Sequence, residues 1–148
     1  MDTLLAKLTL LIDISNEKKT VLEQILNICE NQQYAYQQPY TETRTEMIRG
    51  IGHEKQKLVD QVIACDDAFQ ATFGGCQDEL AQSSQHYRPR ILELQGLIKD
   101  ILDMDIKIRH MENVNKQFYH REKPQAKEPD QAAKIRILEQ YKANNRKK

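Results

Sequence analysis

The stretch LQGLIKDILDMDIKIRHMENVNKQF, residues 94–118, decides the fold. Leu94, Ile101, Ile108 and Asn115 step by seven, and so do Leu97, Met104, Met111 and Phe118. These are the a and d positions of successive heptads, the signature of a helix with one apolar seam. Acid-to-base pairs four residues apart (Asp103–Lys107, Asp105–Arg109, Glu112–Lys116) would support its exposed side by about 0.2–0.5 kcal/mol each. Asn115 stands where the other a positions hold Leu or Ile. Such an asparagine either sets register from a buried position or sits wet where the helix frays.

Working back from this helix, QSSQHYRP (residues 83–89 with Gln82) reads as a turn, with Ser83 or Ser84 as a cap and Pro89 in the first helical turn. A helix over about 86–120 follows. From about Glu42 to Leu80 a second stripe runs through Ile48, Ile51, Leu58, Val62, Cys65, Phe69, Phe73, Cys76 and Leu80. Gly74 and Gly75 weaken it, each at a cost of about 1 kcal/mol against alanine, so a kink or a packing contact is expected there, with a helix end after Phe73 as the alternative. YAYQQPY, residues 34–40, is another turn with Pro39 near the next helix start.

The first 33 residues lack proline and glycine and place Leu4, Leu8, Leu11, Leu22, Ile25 and Cys29 on one helical stripe, widened by Leu5, Ile12 and Leu26. A polar rung, Ser15 to Lys19, interrupts it. No segment alternates like a strand. The expected fold is all-α: an up-down-up bundle of three long helices (about 3–33, 42–80 and 86–120) forming a body over residues 1–122. Beyond it, Pro124 and Pro129 mark a linker over 123–130. PDQAAKIRILEQYKAN then offers a short amphipathic helix over 131–145, before a basic end at 146–148.

Charged residues make up 30 % of the chain, with 22 acids balancing 22 bases. The balance is uneven along it. From Arg121 onward nine bases face four acids, a net of +5, which leaves −5 on residues 1–120. An acidic body with a basic tail favours docking of one on the other, or an acidic partner. No run reaches the roughly 20 apolar residues of a membrane helix, and no secretory leader is expected. Three cysteines, without disulfide or zinc spacing, point to a reducing cytoplasm.

Chemistry is sparse. His53-Glu54 continues as HEKQK rather than HExxH, so a second metal ligand is lacking. His86, His110 and His120 share no helical face and read as solvent-facing or interface residues. Cys65 and Cys76 share a face with Val62, Phe69 and Phe73, and core packing outweighs a redox role for them and for Cys29. Asp66 and Asp67 diverge by about 100° around the helix and do not face each other. No phosphate loop, nucleophile elbow or cofactor motif occurs. The basic end NNRKK lacks interleaved aromatics, so nucleic acid is not an expected partner. The expectation is a protein that is not an enzyme and needs no cofactor.

Three segments resemble the FlgN-type flagellar type III export chaperones: LLAKLTLLIDISNEKKTVLEQILNICENQ, apolar pairs around a Glu-Lys centre; HEKQKLVDQVIACDDAFQATF, with a Glu-Lys-rich start, an Asp and paired phenylalanines; and LQGLIKDILDMDIKIRHMENVNKQ, a Leu-Gln-x-x-Ile run followed by Glu-x-x-Asn. The resemblance spans about residues 1–122, and FGGCQDEL departs from it. It implies a chaperone that holds hook-associated (hook–filament junction) proteins by their C-terminal helices, prevents premature assembly and delivers them to the flagellar export apparatus. In that family the C-terminal segment binds cargo, which here corresponds to the region after Lys123. The expected apolar anchors are Ile135, Ile137, Leu138 and Tyr141, with Met111, Val114, Asn115 and Phe118 extending the same surface. Such a chaperone is monomeric or weakly dimeric. The alternative is a coiled-coil scaffold or assembly subunit that self-associates through the heptads of residues 94–118.

Overall fold

A computed structural model describes residues 2–122, and the linker, amphipathic segment and basic end expected over 123–148 lie outside them. The described chain is all-α, in the order α1 (Thr3–Tyr36), α2 (Glu42–Gly74), α3 (Gln77–Gln82) and α4 (Arg88–Glu122).

Helix α1 is the hub. It packs along both α2 and α4, whereas α2 and α4 approach each other much less closely. Contacts from its two ends give the directions. Lys7 reaches the carbonyl of Gly75, Lys18 pairs with Asp66, and Arg44 bonds the carbonyl of Ala35, so α2 runs antiparallel to α1. Arg90 reaches Thr9, Lys19 reaches Asp100, and Asn115 reaches Cys29, so α4 runs parallel to it.

Two apolar clusters fill the contacts. Leu4, Leu8, Leu11 and Ile12 meet Cys76, Leu80 and Leu94 at one end, with Phe69 and Phe73 packed on them. Val21, Leu22, Ile25 and Cys29 meet Ile101 and Ile108 toward the other, flanked by Leu58, Val62 and Met104. Ile14, Val21 and Ile28 are buried as well, a seven-residue step on the side of α1 that the Leu4–Cys29 stripe leaves out. Leu5, expected to widen that stripe, is 39 % exposed. Among the described residues α2 packs mainly on α1, and its stripe is correspondingly half-buried: Cys65 and Arg44 are its only buried residues.

The polar rung of α1 joins the layers. Ser15 is buried, while Lys18 and Lys19 point to opposite partners, Asp66 of α2 at 2.7 Å and Asp100 of α4 at 3.1 Å. Both carboxylates are half-exposed, so each bridge contributes at most about 1 kcal/mol and acts mainly on register. The expected pairs within the last helix do not form among the described residues. Glu112 instead crosses to Lys55 of α2 at 3.0 Å, because the interhelical lysine is the more enclosed partner, with its side chain 19 % exposed.

The second helix does not continue to residue 80. It stops at Gly74, and after Gly75 and Cys76 the chain restarts as α3. Neither glycine takes a positive φ, so the break follows from two weak helix formers in a row rather than from a left-handed turn. Cys76 then holds the corner, its Sγ 3.3 Å from the Thr72 carbonyl and its side chain in the first cluster. The last helix begins at Arg88, two residues later than expected, and Ser83 closes α3 rather than opening α4. Tyr87 provides the start: its carbonyl accepts from Ile91 N–H, and its hydroxyl donates to Asp2 at 2.6 Å. Asp2 also caps α1 by accepting from Leu5 N–H. The tyrosine hydrogen bond holds the Asp2 carboxyl below its usual range and pushes the Tyr87 phenol up.

Between α1 and α2, Arg44 closes the turn. Its Nε donates to the Ala35 carbonyl, which also accepts from Gln38 N–H, and a terminal nitrogen donates to the Tyr36 carbonyl at the end of α1. The guanidinium also lies 4.8 Å from the Tyr40 ring centroid, and Thr41 caps α2 by accepting from Arg44 N–H. Arg44→Ala therefore removes charged hydrogen bonds of about 1.5–3 kcal/mol, and Arg44→Lys restores little, because an ammonium lacks the planar fork. Urea midpoints at constant slope measure both. Asn115 is 5 % exposed and its Nδ2 donates to the Cys29 carbonyl at 2.9 Å, so it is buried rather than frayed. Its Oδ1 is buried with no hydrogen-bond partner among the described residues. The Cys29 carbonyl lies inside α1, where the helix ladder supplies a partner. Asn115→Leu should therefore raise stability by about 1 kcal/mol, a melting-temperature rise of about 2–4 °C by calorimetry.

Candidate functional site

Because α2 and α4 both lean on α1 without closing on each other, a groove of about 210 Å³ opens between them. Ile14 and Ser15 of α1 form its floor. Cys65 and Phe69 stand on the α2 side, and Ile98, Ile101 and Leu102 on the α4 side. The lining is mainly apolar. Its charged groups are Lys18 and Asp66, paired with each other, and Asp105, which is half-buried and has no ion-pair partner among the described residues.

The groove continues onto the surface. Ile98, Leu102 and Ile106, four residues apart on α4, are 37, 56 and 64 % exposed. Four-residue steps place them along one side of the helix, leading outward from the groove. On the α2 side, Ile63 is 53 % exposed, three residues from Asp66. Isolated exposed apolar residues are ordinary, but a contiguous set beside an open apolar groove marks an interaction surface. The heptad pattern hides this stripe, because a seven-residue repeat marks only the a and d positions. The spacing Ile98–Leu102–Ile106 beside Ile101 was the sequence signal for it.

Ile135, Ile137, Leu138 and Tyr141, the expected anchors, lie outside the described residues. Of the four expected to extend the surface, Asn115 is buried and bonded to α1. Met111 is half-buried and packs on the second cluster; Val114 and Phe118 are half-buried. The end of α4 thus has Met111, Val114 and Phe118 half-buried, and the more exposed apolar stripe lies further back, at Ile98–Ile106.

No group of three or more His, Cys, Asp or Glu side chains among the described residues is arranged to hold a metal ion. Asp66 faces Lys18 and not Asp67, while His53, His86 and His110 are exposed, His86 edge-on to Tyr87. All three cysteines are free and buried, and burial pushes each thiol up. A raised thiol is a poor nucleophile. No described helix is long and apolar enough to cross a membrane.

No protein-family model, curated protein or solved structure matches this chain.

Cys29 and Cys76 should react with an aromatic disulfide reagent only as fast as the helices open. In native buffer, labelling of Cys29 should lag a free thiol by at least about a hundredfold and become complete on unfolding. Fast labelling of either at neutral pH would contradict its placement in the core.

Proposed function

We propose that the chain is a cytoplasmic export chaperone of the FlgN type. Its body is an up-down-up bundle of long helices, and its C-terminal segment is an amphipathic helix on a proline-containing linker. It binds the C-terminal helices of hook-associated proteins, keeps them from assembling early and passes them to the flagellar export apparatus. It performs no catalysis and needs no cofactor.

The observation that carries this reading is the apolar groove between α2 and α4 with the exposed stripe Ile98–Leu102–Ile106 beside it. A groove between two helices is the shape into which a third amphipathic helix fits, by the helix-in-groove mode. The sparse chemistry of the described residues fits a protein whose work is binding. The buried free thiols suit a reducing compartment.

The scaffold reading loses its main support. Self-association through the heptads needs the a positions on the outside, whereas Leu94, Ile101 and Ile108 are 6, 6 and 8 % exposed against the chain's own α1.

The test compares the full chain with one ending at Lys123, each titrated by calorimetry with the C-terminal helical region of a hook–filament junction protein from the same organism. The full chain should bind, and the shortened one, which keeps the groove, should bind at least as tightly while staying helical and equally cooperative on heating. Loss of binding on shortening would move cargo capture from the body to the tail, and binding by neither would sink the chaperone reading.

A further inference from the structure

We propose that the groove between α2 and α4 is the docking site of the chain's own residues 131–145. The proposal concerns a contact within one molecule and stands whether or not the chain carries export cargo.

Three independent features select this occupant. The first is reach. Residue 122 ends α4, and Leu102 lies 20 residues before it, about 30 Å back along the helix at 1.5 Å per residue. The linker 123–130 spans up to about 26 Å when extended, at about 3.3 Å per residue. A 15-residue helix adds about 22 Å. A segment that turns back along α4 therefore covers Ile106, Leu102 and Ile98, with several residues of slack in the linker.

Shape is the second. The segment PDQAAKIRILEQYKAN carries Ala133, Ile137 and Tyr141 at four-residue steps, with Leu138 beside them and Ile135 about 160° away around a helix. The groove presents apolar side chains at the same spacing on α4. Docking would give α2 and α4 the common neighbour that their half-buried sides lack, completing a four-helix arrangement around Ile14 and Ile101.

Charge is the third. The groove lining carries two carboxylates, Asp66 and Asp105, against one ammonium, Lys18. Residues 131–145 carry Lys134, Arg136 and Lys142 against Glu139. The two sets are complementary, in keeping with the −5 of residues 1–120 and the +5 beyond them. A second copy of the body would bring its own acidic surface and lacks this complement.

Amide hydrogen exchange followed by mass spectrometry tests the contact on the full chain. Peptides covering 131–145 should exchange at least about tenfold more slowly than the same sequence as a free peptide. Leu102→Glu with Ile98→Glu should return them to within about twofold of the free rate. Both positions are exposed, so protection of residues 20–30 in α1 reports that the body remains folded. The wild-type protection should not depend on protein concentration. Three outcomes would overturn the proposal: free-peptide exchange in the unaltered chain, tail protection that survives the double glutamate change, or protection that appears only as concentration rises. The last would mean that the groove takes a second copy.

Discussion

The whole arrangement depends on α1 burying more than one side at once. Its buried residues include the steps Leu4–Leu8–Leu11 and Ile14–Val21–Ile28, so it needs two neighbours. At about 25 cal/mol per Å² of apolar surface removed from water, each fully buried Leu or Ile contributes roughly 1.5–3 kcal/mol. That sum dwarfs what the half-exposed ion pairs add. The bridges from Lys18 and Lys19 therefore select among registers rather than hold the helices together. They sit where the apolar pattern of α1 is interrupted by Ser15–Lys19, so the one polar stretch of the hub faces both partners at once.

The flanking helices follow from this. Helices α2 and α4 each answer a side of α1, and neither is required to answer the other. Where they diverge, the apolar residues of their inner flanks stay half-buried, and the groove over Ile14 and Ser15 is the result. The turn chemistry keeps it so. Arg44 fixes the α1–α2 corner through the carbonyls of Ala35 and Tyr36, and the Tyr87–Asp2 bond fixes the start of α4 against the start of α1. Both devices tie a neighbour to the hub, and neither ties α2 to α4.

Much of this was legible in the residues, and the exceptions have physical reasons. The heptads of 94–118 gave a single long helix with Leu94, Ile101 and Ile108 inside, because a seven-residue step is unambiguous over that length. Gly74-Gly75 was legible as a weak point, but weakness does not say whether a helix bends or ends. Cys76 decides that by turning into the first cluster. Arg44 carried no periodic signal, since its role is set by carbonyls nine and eight residues earlier. The groove was hidden for a similar reason. A stripe says that a side is apolar, whereas which neighbour covers it depends on how far apart two other helices stand.

An open apolar groove on a small protein also constrains the strength of whatever fills it. A segment tethered by a short linker would be presented at an effective concentration of the order of millimolar, so under the proposed docking even a weak intrinsic contact would keep it in place most of the time. A competing amphipathic helix from another protein must then outbind the tethered one at its own, much lower concentration. Each buried apolar anchor contributes about 1.5–3 kcal/mol, and the cost of ordering the segment offsets much of that, so the net affinity of the tethered segment would be small. Docking that is frequent but weak leaves the groove exchangeable. In a binder that must release its partner, an exchangeable surface is more useful than a permanently closed one, and a body whose outer helices pack mainly on the hub provides it.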